Sequence, residues 1–490
     1  MTTRRLVFWI TFLAIFAMAA RISMDTDTWW HLRAGQWITE NLQIPHIDPF
    51  SYTREGASWE YPGWLVEVPM LWIYQAVGPG GLNIMTAVFV TIAFWFVWKT
   101  MDGGEYTKAF VIILAATASG VYWAARPYLV TFLLMAVFLW ILETYRWKKE
   151  SFSVKTVWWL PVLMIVWVNS HGGFVLGLIL WGIYWIAELI LIFWSTFIQR
   201  RSSFKVANIG TPLFWSGVLM GVAICVNPYG PAMLLYPFKT ISIGVLRDYI
   251  QEWQTPQFHS LSVQPFAWLI LLTFGFVGAS RKRLAWIDFL LISIFTYLGL
   301  LAGRNVALFS IVAPMVITRH AAPLIASTSR LFGFRIEKSD HPTKGVQLIN
   351  STIFVILAMV VLFKVASIYP SQVNIEAFSK FLPIDAVEFL KAEKPQGELF
   401  NSYNWGGYLL WALPEYPVFI DGRTDLYNDQ LIGEWLDIVN AEQGWQGLLN
   451  QYGARLILIE NGSTLSRALE LDAKWERIYE DSLAVIYEKR

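Results

Sequence analysis

Charge is scarce in these 490 residues. Asp, Glu, Lys and Arg together make up 15% of the chain, against about 25% in an ordinary soluble protein. That scarcity excludes a disordered chain, a coiled coil and a cytosolic enzyme. Cysteine is almost absent: the one thiol, Cys225, can build neither a disulfide framework nor a cysteine-based metal centre. Basic and acidic residues nearly cancel, 37 against 36, and a net charge of +1 gives no footing for a nucleic-acid partner. No internal repeat or low-complexity tract stands out. What the chain does have is apolar bulk, 56% of its residues, with 27 Trp. The class left is a polytopic α-helical membrane protein.

Apolar runs long enough to cross a bilayer occur at 6–22, 82–98, 109–125, 128–144, 156–170, 173–196, 212–227, 265–280, 284–300, 304–318 and 349–368. They predict eleven spans. A further stretch, 64–78, is short and carries Glu67 and Pro69. It reads as a re-entrant or interfacial helix or as a short span, so twelve or thirteen crossings are the alternatives. The bias of Lys and Arg toward cytoplasmic loops selects eleven. With Arg4 and Arg5 in the cytoplasm, the inside loops hold 19 Lys and Arg, and the outside segments before residue 370 hold 7. Arg200, Arg201, Lys205, Arg281, Lys282, Arg283 and the 319–348 loop all fall inside, whereas a crossing at 64–78 would put the basic loop 146–155 outside. Residues 1–20 mimic a secretory signal peptide, but an uncleaved first helix accords better with ten further spans.

After residue 369 the composition inverts, with 10 basic and 19 acidic residues over 370–490. There 418–420 and 456–459 read as buried strands, 385–391 and 429–439 as amphipathic helices, and 477–487 as a hairpin turning at Asp481-Ser482. The expected organisation is a transmembrane part, 1–369, with a long first outer loop, 21–63, followed by a soluble extracytoplasmic α/β domain, 370–490.

Polar residues gather at the outer ends of the spans. The first outer loop opens with Asp25-Thr26-Asp27. Two carboxylates at this spacing can share a divalent cation, and each can act as a general base. The alternative is an acidic loop capping a helix with Asp27 or Thr28. Residues 29–42 then place Trp29, Trp30, Leu32, Ile38 and Leu42 among polar neighbours, a pattern expected of a helix lying on the membrane surface. Downstream, His46, Asp48 and Glu60 sit in a segment dense in proline and aromatic residues. They serve either as supporting groups for a site or as structural hydrogen-bond partners. Other outer turns bring Arg126, His171 and Arg304, together with a longer segment holding Arg247, Asp248, Glu252, Trp253 and His259. Arginine suits phosphate oxygens by its forked donors, although snorkelling or pairing with a carboxylate accounts for it equally. Carboxylates and arginines on one face suit a reaction in which a phosphate leaves. Asp25 and Asp27 are the candidate catalytic and metal-binding residues; His31, Asp48, Glu60, Arg126, His171 and Arg304 are the candidate substrate-binding ones.

The segment MDTDTWWHLRAGQWI directly after the first span, YPGWLVEVPMLWIYQAVGPGGLN, and ARPYLVTFLLMAVFLWILE resemble the GT-C superfamily of membrane glycosyltransferases. DPFSYT, NSHGGF, NPYG and FNSYNWGGYL look like a bacterial subgroup of GT-C-like proteins. The likeness covers most of the membrane part. It departs from the family's adjacent Asp-Glu and Pro-Pro, having Asp25-Thr26-Asp27 and Pro62-Gly63. The resemblance implies a polyprenyl-phosphate-linked sugar donor used on the outer face of a bacterial inner membrane, with Asp25 or Asp27 as base or metal ligand and Mg2+ or Mn2+ as the optional metal. The acceptor it leaves open: a lipid, a glycan or a protein. It also implies that Ile420-Asp421-Gly422-Arg423-Thr424-Asp425 contacts the acceptor; the plainer reading is a turn tied by an Asp–Arg pair. Two rivals stand beside the transferase. A transporter of lipid-linked sugars would run charges through the bilayer, for which only Glu188, Asp288 and Lys364 lie mid-span; a non-catalytic envelope scaffold would need the C-terminal domain but not the Asp pair.

Overall fold

The computed structural model describes residues 1–147, 155–194, 211–244, 249–331 and 342–490. Arg200, Arg201, Lys205, Arg247, Asp248 and most of the 146–155 loop therefore lie outside the described residues.

Eleven helices stand where the eleven apolar runs are: α1 (Thr3–Ala19), α3 (Trp64–Thr100), α4 (Glu105–Ser119), α5 (Tyr128–Trp147), α6 (Trp159–Val168), α7 (Val175–Phe193), α8 (Thr211–Ile224), α9 (Gln264–Ala279), α10 (Trp286–Leu301), α11 (Val306–Leu331) and α12 (Lys344–Ile368). An additional helix, α2 (Asp27–Asn41), lies between α1 and α3. Five of the eleven are long and apolar enough to cross a bilayer by length and composition. The outer surface is apolar where water would not tolerate it. Along α12, Met359, Leu362 and Phe363 are 56%, 67% and 78% exposed, which is the face of a lipid-contacting helix. The chain is a multi-pass membrane protein.

Stretch 64–78 is helical and runs into the following span. It is the first part of α3, broken where Gly78 takes φ +70° ahead of Pro79, whose missing N–H cannot continue the ladder. The tenth span is longer than the hydropathy suggested. Helix α11 runs on through Arg319, which is 2% exposed inside the bundle instead of lying in a cytoplasmic loop. Its guanidinium binds Asp288 and, at 2.6 Å, Glu143. Arg146 reaches the same two carboxylates at 3.1 and 3.2 Å, while Tyr184 and the Trp147 indole donate to Glu143 at 2.5 and 2.7 Å. This knot ties α5, α7, α10 and α11 together. Asp288 is thereby a helix-pairing group, and Lys364 likewise donates to the Ala17 carbonyl at the end of α1; neither is left free to carry a passing ion.

The C-terminal part packs α13 (Ser371–Phe378), α14 (Ile384–Glu393), α15 (Tyr403–Ala412), α16 (Thr424–Val439), α17 (Trp445–Gln451) and α18 (Thr464–Glu470) with β1 (Glu398–Asn401), β2 (Ala454–Glu460), β3 (Trp475–Glu480) and β4 (Ala484–Lys489). Strand order is β1-β2-β4-β3, with β1 parallel to β2 and the other pairs antiparallel. The expected hairpin is β3–β4. Residues 418–420 are fully buried but form no strand: Val418 makes single bridges to Ser51 and Leu399. Those bridges matter because Ser51 belongs to the first outer loop. Tyr52 N–H donates to the Val418 carbonyl at 3.2 Å, Thr53 to Phe419 at 2.6 Å and Arg54 to Tyr427 at 2.6 Å. Loop and C-terminal part share one apolar core.

Replacing Arg319 by Met leaves Arg146, among the described residues, as the one cation for two buried carboxylates, and breaking a buried ionic network from one side costs about 3–5 kcal/mol. Arg319→Met is expected to lower unfolding stability in detergent by that amount. The triple variant Arg319→Met/Glu143→Gln/Asp288→Asn is expected to recover most of it.

Candidate functional site

The acidic motif sits at the end of the bundle that carries the C-terminal part. Asp25 does what the sequence assigned to Asp27 or Thr28. Its Oδ1 accepts the backbone N–H of Asp27, the first residue of α2, at 2.9 Å, and Thr26 makes no side-chain cap. The helix that follows does not lie open on a membrane surface. Trp29, Trp30, His31 and Leu32 are each 5% exposed or less, because α2 is packed between α3 and α15. Two glycines permit that packing. A Cβ on Gly407 would lie 2.8 Å from the Thr26 carbonyl, and one on Gly422 would lie 2.0 Å from Asp27 Oδ1. The NWGGY and DGRTD segments thus press directly on the acidic motif.

Gly422 is held by its neighbours. Asp421 grips Arg423 through both oxygens, at 2.7 to 3.1 Å, and Arg423 Nη1 reaches Asp48 at 2.6 Å. All three are fully buried. The pair expected to tie this turn is present, and Asp48 is its third member, also accepting the Phe50 and Ser51 N–H groups at 3.1 Å.

Arg126, Asp25, Asp27, Glu252 and Arg304 form a connected cluster. Arg126 faces Asp25 at 3.5 Å, Asp27 at 3.2 Å and Glu252 at 2.6 Å. Arg304 lies 3.5 Å from Glu252 with its guanidinium over the Trp253 ring, 4.4 Å from the centroid. The five side chains are surrounded by protein yet keep between 15% and 28% of their surface, so the cluster opens to solvent as a cleft. His171 stands beside it. Its Nδ1 accepts the Gly173 N–H at 3.0 Å and lies 2.9 Å from the Thr131 hydroxyl, which places the proton of the neutral ring on Nε2. Tyr403 and Thr424 share a hydrogen bond at 2.7 Å, and Tyr236 donates to Asp425 at 3.3 Å.

Electrostatics sort these groups. Burial, with Asp25 and Glu252 adding like charge, pushes Asp27 up to about 7 despite Arg126. Burial also raises Asp425 to about 6. Glu252 goes the other way: against the cost of burial, Arg126 and Arg304 hold it down at about 2. Burial and the two guanidinium groups lower His171 to about 3, so it is neutral. A carboxylate titrating near neutrality beside two permanent cations can take a proton and balance a departing anion.

The cleft therefore unites Asp25, Asp27, Arg126, His171 and Arg304. It does not include His31, which is buried against Glu67 at 2.9 Å and under the Trp30 ring. Asp48 is taken up by Arg423, and Glu60 pairs with Lys239 at 2.7 Å on the surface. Gly422 and Asp425 entered the sequence reading only as part of a segment implied to contact the acceptor, and Glu252 only as one member of a longer outer segment. The only signals were an acidic residue beside Trp253 and the end of IDGRTD. A divalent metal needs oxygen ligands at about 2.0–2.6 Å, and this cluster does not fit one as arranged. Its three carboxylates turn onto a guanidinium, and among the described residues no group of three or more His, Cys, Asp or Glu could hold a metal ion.

No family model matches the sequence, and no curated protein does. Solved structures do. The oligosaccharyltransferase AglB from Archaeoglobus fulgidus, in complex with an inhibitory peptide and a dolichol-phosphate, aligns over 94% of this chain and 70% of its own at TM-score 0.59 and 10% identity. That organism's oligosaccharyltransferase in complex with Zn and sulfate aligns over 98% and 73% at TM-score 0.53 and 12% identity. ArnT from Cupriavidus metallidurans bound to undecaprenyl phosphate aligns over 99% and 98% at TM-score 0.49 and 14% identity. What is shared at such identities is the fold, that of the polytopic GT-C membrane proteins.

Gly422→Ala is expected to destabilise the protein by about 1–3 kcal/mol through overpacking against Asp27. Gly433→Ala, where a Cβ meets nothing within 4 Å, is expected to cost nothing. Paired thermal unfolding of the two variants checks the contact.

Proposed function

We propose that this GT-C-fold membrane protein is an inverting glycosyltransferase, moving a sugar from a polyprenyl-phosphate donor to a hydroxyl-bearing lipid, glycan or protein. The observation that carries the reading is one solvent-open cleft holding a carboxylate poised near pH 7 beside Arg126 and Arg304. Asp27 takes the proton of the acceptor hydroxyl as its oxygen bonds to the sugar's anomeric carbon. The carbon–oxygen bond to the phosphate breaks on the opposite face, which inverts the configuration. Asp25 positions Asp27 by capping α2. Arg126 is committed to three carboxylates, so Arg304, flat on Trp253 with a single carboxylate at one edge, is the cation that meets the leaving phosphate. His171 adds a neutral Nε2–H donor. The dolichol-phosphate in the AglB complex supports a lipid-phosphate donor. The excess of Lys and Arg in the alternate loops supports a bacterial inner-membrane setting with the N-terminus cytoplasmic and the cleft outside. Residues 370–490 are on this reading an extracytoplasmic domain.

General bases contribute about 100- to 10,000-fold to rate. Asp27→Asn is expected to lower transfer by at least about 100-fold, and Asp25→Asn by less. Mass spectrometry of envelope lipids and glycans should find the same product missing from the deletion and from Asp27→Asn cells; a full complement of glycans in an Asp25→Ala/Asp27→Ala strain overturns the reading. The rate should also rise with pH. A base titrating at about 7 is deprotonated in roughly a tenth of molecules at pH 6 and nine-tenths at pH 8. An activity profile that is flat or falls between those values removes Asp27 from the role of base.

A further inference from the structure

We infer that Arg126 occupies the place of a divalent cation in this fold's acidic motif, so that the cleft is wired to a built-in guanidinium and binds no metal until that side chain is removed. The inference rests on the transferase reading only for its mechanistic meaning; the geometry stands without it.

Three carboxylates from two separate segments converge on this one side chain. Asp25 and Asp27 come from the turn into α2, Glu252 from the segment before α9, and Arg126 from the turn into α5. Carboxylates gathered like this repel one another, and a positive centre among them offsets that repulsion. A hard metal ion is one such centre, and the carboxylate-rich donor set would suit it. Here the position is filled differently. Nη1 and Nη2 take Asp27 and Glu252 at hydrogen-bonding distance, and Nε faces Asp25 at 3.5 Å. Two of the nitrogens are hydrogen-bonded, and Nε faces the third carboxylate without a hydrogen bond, so the guanidinium itself fills the centre of the cluster. The guanidinium is also fixed from below, with its carbon 5.9 Å from the centroid of the Tyr128 ring. Arg304 adds a second permanent charge at the outer edge of Glu252. Counting formal charges, the two arginines offset two of the three carboxylates, the same balance that one divalent ion would give.

The substitution has chemical consequences. A metal can turn a bound water into a nucleophile and holds its carboxylate ligands ionised. A guanidinium can keep a carboxylate ionised, as with Glu252, but it activates no water; it donates directed hydrogen bonds and keeps its charge at every working pH. That is consistent with Asp27 remaining basic enough to act on a hydroxyl itself. The charge also cannot be stripped by a chelator or starved by metal limitation.

The test is a titration of Mn2+ into the purified full-length protein, followed by electron paramagnetic resonance without any substrate. The wild type is expected to show no saturable binding up to about 1 mM, the weak end of protein divalent-cation sites. Arg126→Ala, which frees three carboxylates, is expected to gain one Mn2+ per chain, and the added substitution Asp27→Asn to abolish it. Wild-type protein that binds one Mn2+, lost on Asp27→Asn, overturns the inference. So does a folded Arg126→Ala protein, checked by thermal unfolding, that still takes up no Mn2+. Sugar transfer, where it is assayed, should be unchanged by excess EDTA. A wild type inactive in transfer but blind to Mn2+ sinks the transferase reading and leaves this inference standing.

Discussion

A guanidinium with no water around it holds the upper half of this molecule together. Arg423 has no exposed surface, two carboxylates for partners and the faces of Phe50 and Trp59 at 5.1 and 4.7 Å. Burying such a charge is costly, and it persists only where partners satisfy the guanidinium fully. Those partners lie in different parts of the chain, Asp421 two residues away and Asp48 in the first loop. The ion triad therefore does more than close a turn. It sets the distance between the loop and the C-terminal part, and with that the position of Gly422 against Asp27. Every group in the cleft is placed relative to this contact or to the helices below it.

Two further polar centres divide the work along the molecule's long axis. At the far end Arg319 gathers carboxylates from inside the bundle, where they have nothing to act on and serve to lock four helices. At the cleft end Arg126 gathers carboxylates that keep contact with water. The two clusters have nearly the same composition, and exposure is what separates them. Arg319 and Glu143 are 2% and 4% exposed, while Arg126 and Asp27 are 15% and 28%.

Much of the fold was legible in the sequence because apolar length is a one-dimensional signal. Eleven runs gave eleven helices, and the shift to acidic composition marked where the sheet-bearing part begins. The errors came where a polar residue was read by its own chemistry alone. Arg319 looked like the first residue of a cytoplasmic loop, since hydropathy does not see that Glu143 and Asp288 wait for it within the bundle. Residues 418–420 looked like a strand from their apolar run, although their hydrogen bonds are divided between the first loop and the Asn401 side chain. In the cleft, the turns that meet could be read from topology, which puts Asp25, Arg126, His171 and Arg304 at one end. Which carboxylates close on Arg126 could not. Glu252 is 126 positions away from it, and nothing in a single sequence reports a pairing at that separation.

The contact between Gly422 and Asp27 also puts the site on a clock. Nearly four hundred residues lie between them, and Gly422 leaves the ribosome long after Asp27 has done so. At about 5–20 residues per second, the acidic motif reaches the membrane some 20 to 80 seconds before its covering segment exists. Throughout that interval the spans can insert and pair while Asp27 stands open to water with the titration of an ordinary aspartate. The cluster is covered only when the segment around Gly422 has docked, so a chain that stalls before that point leaves a bundle whose acidic motif lacks its lid of NWGGY and DGRTD.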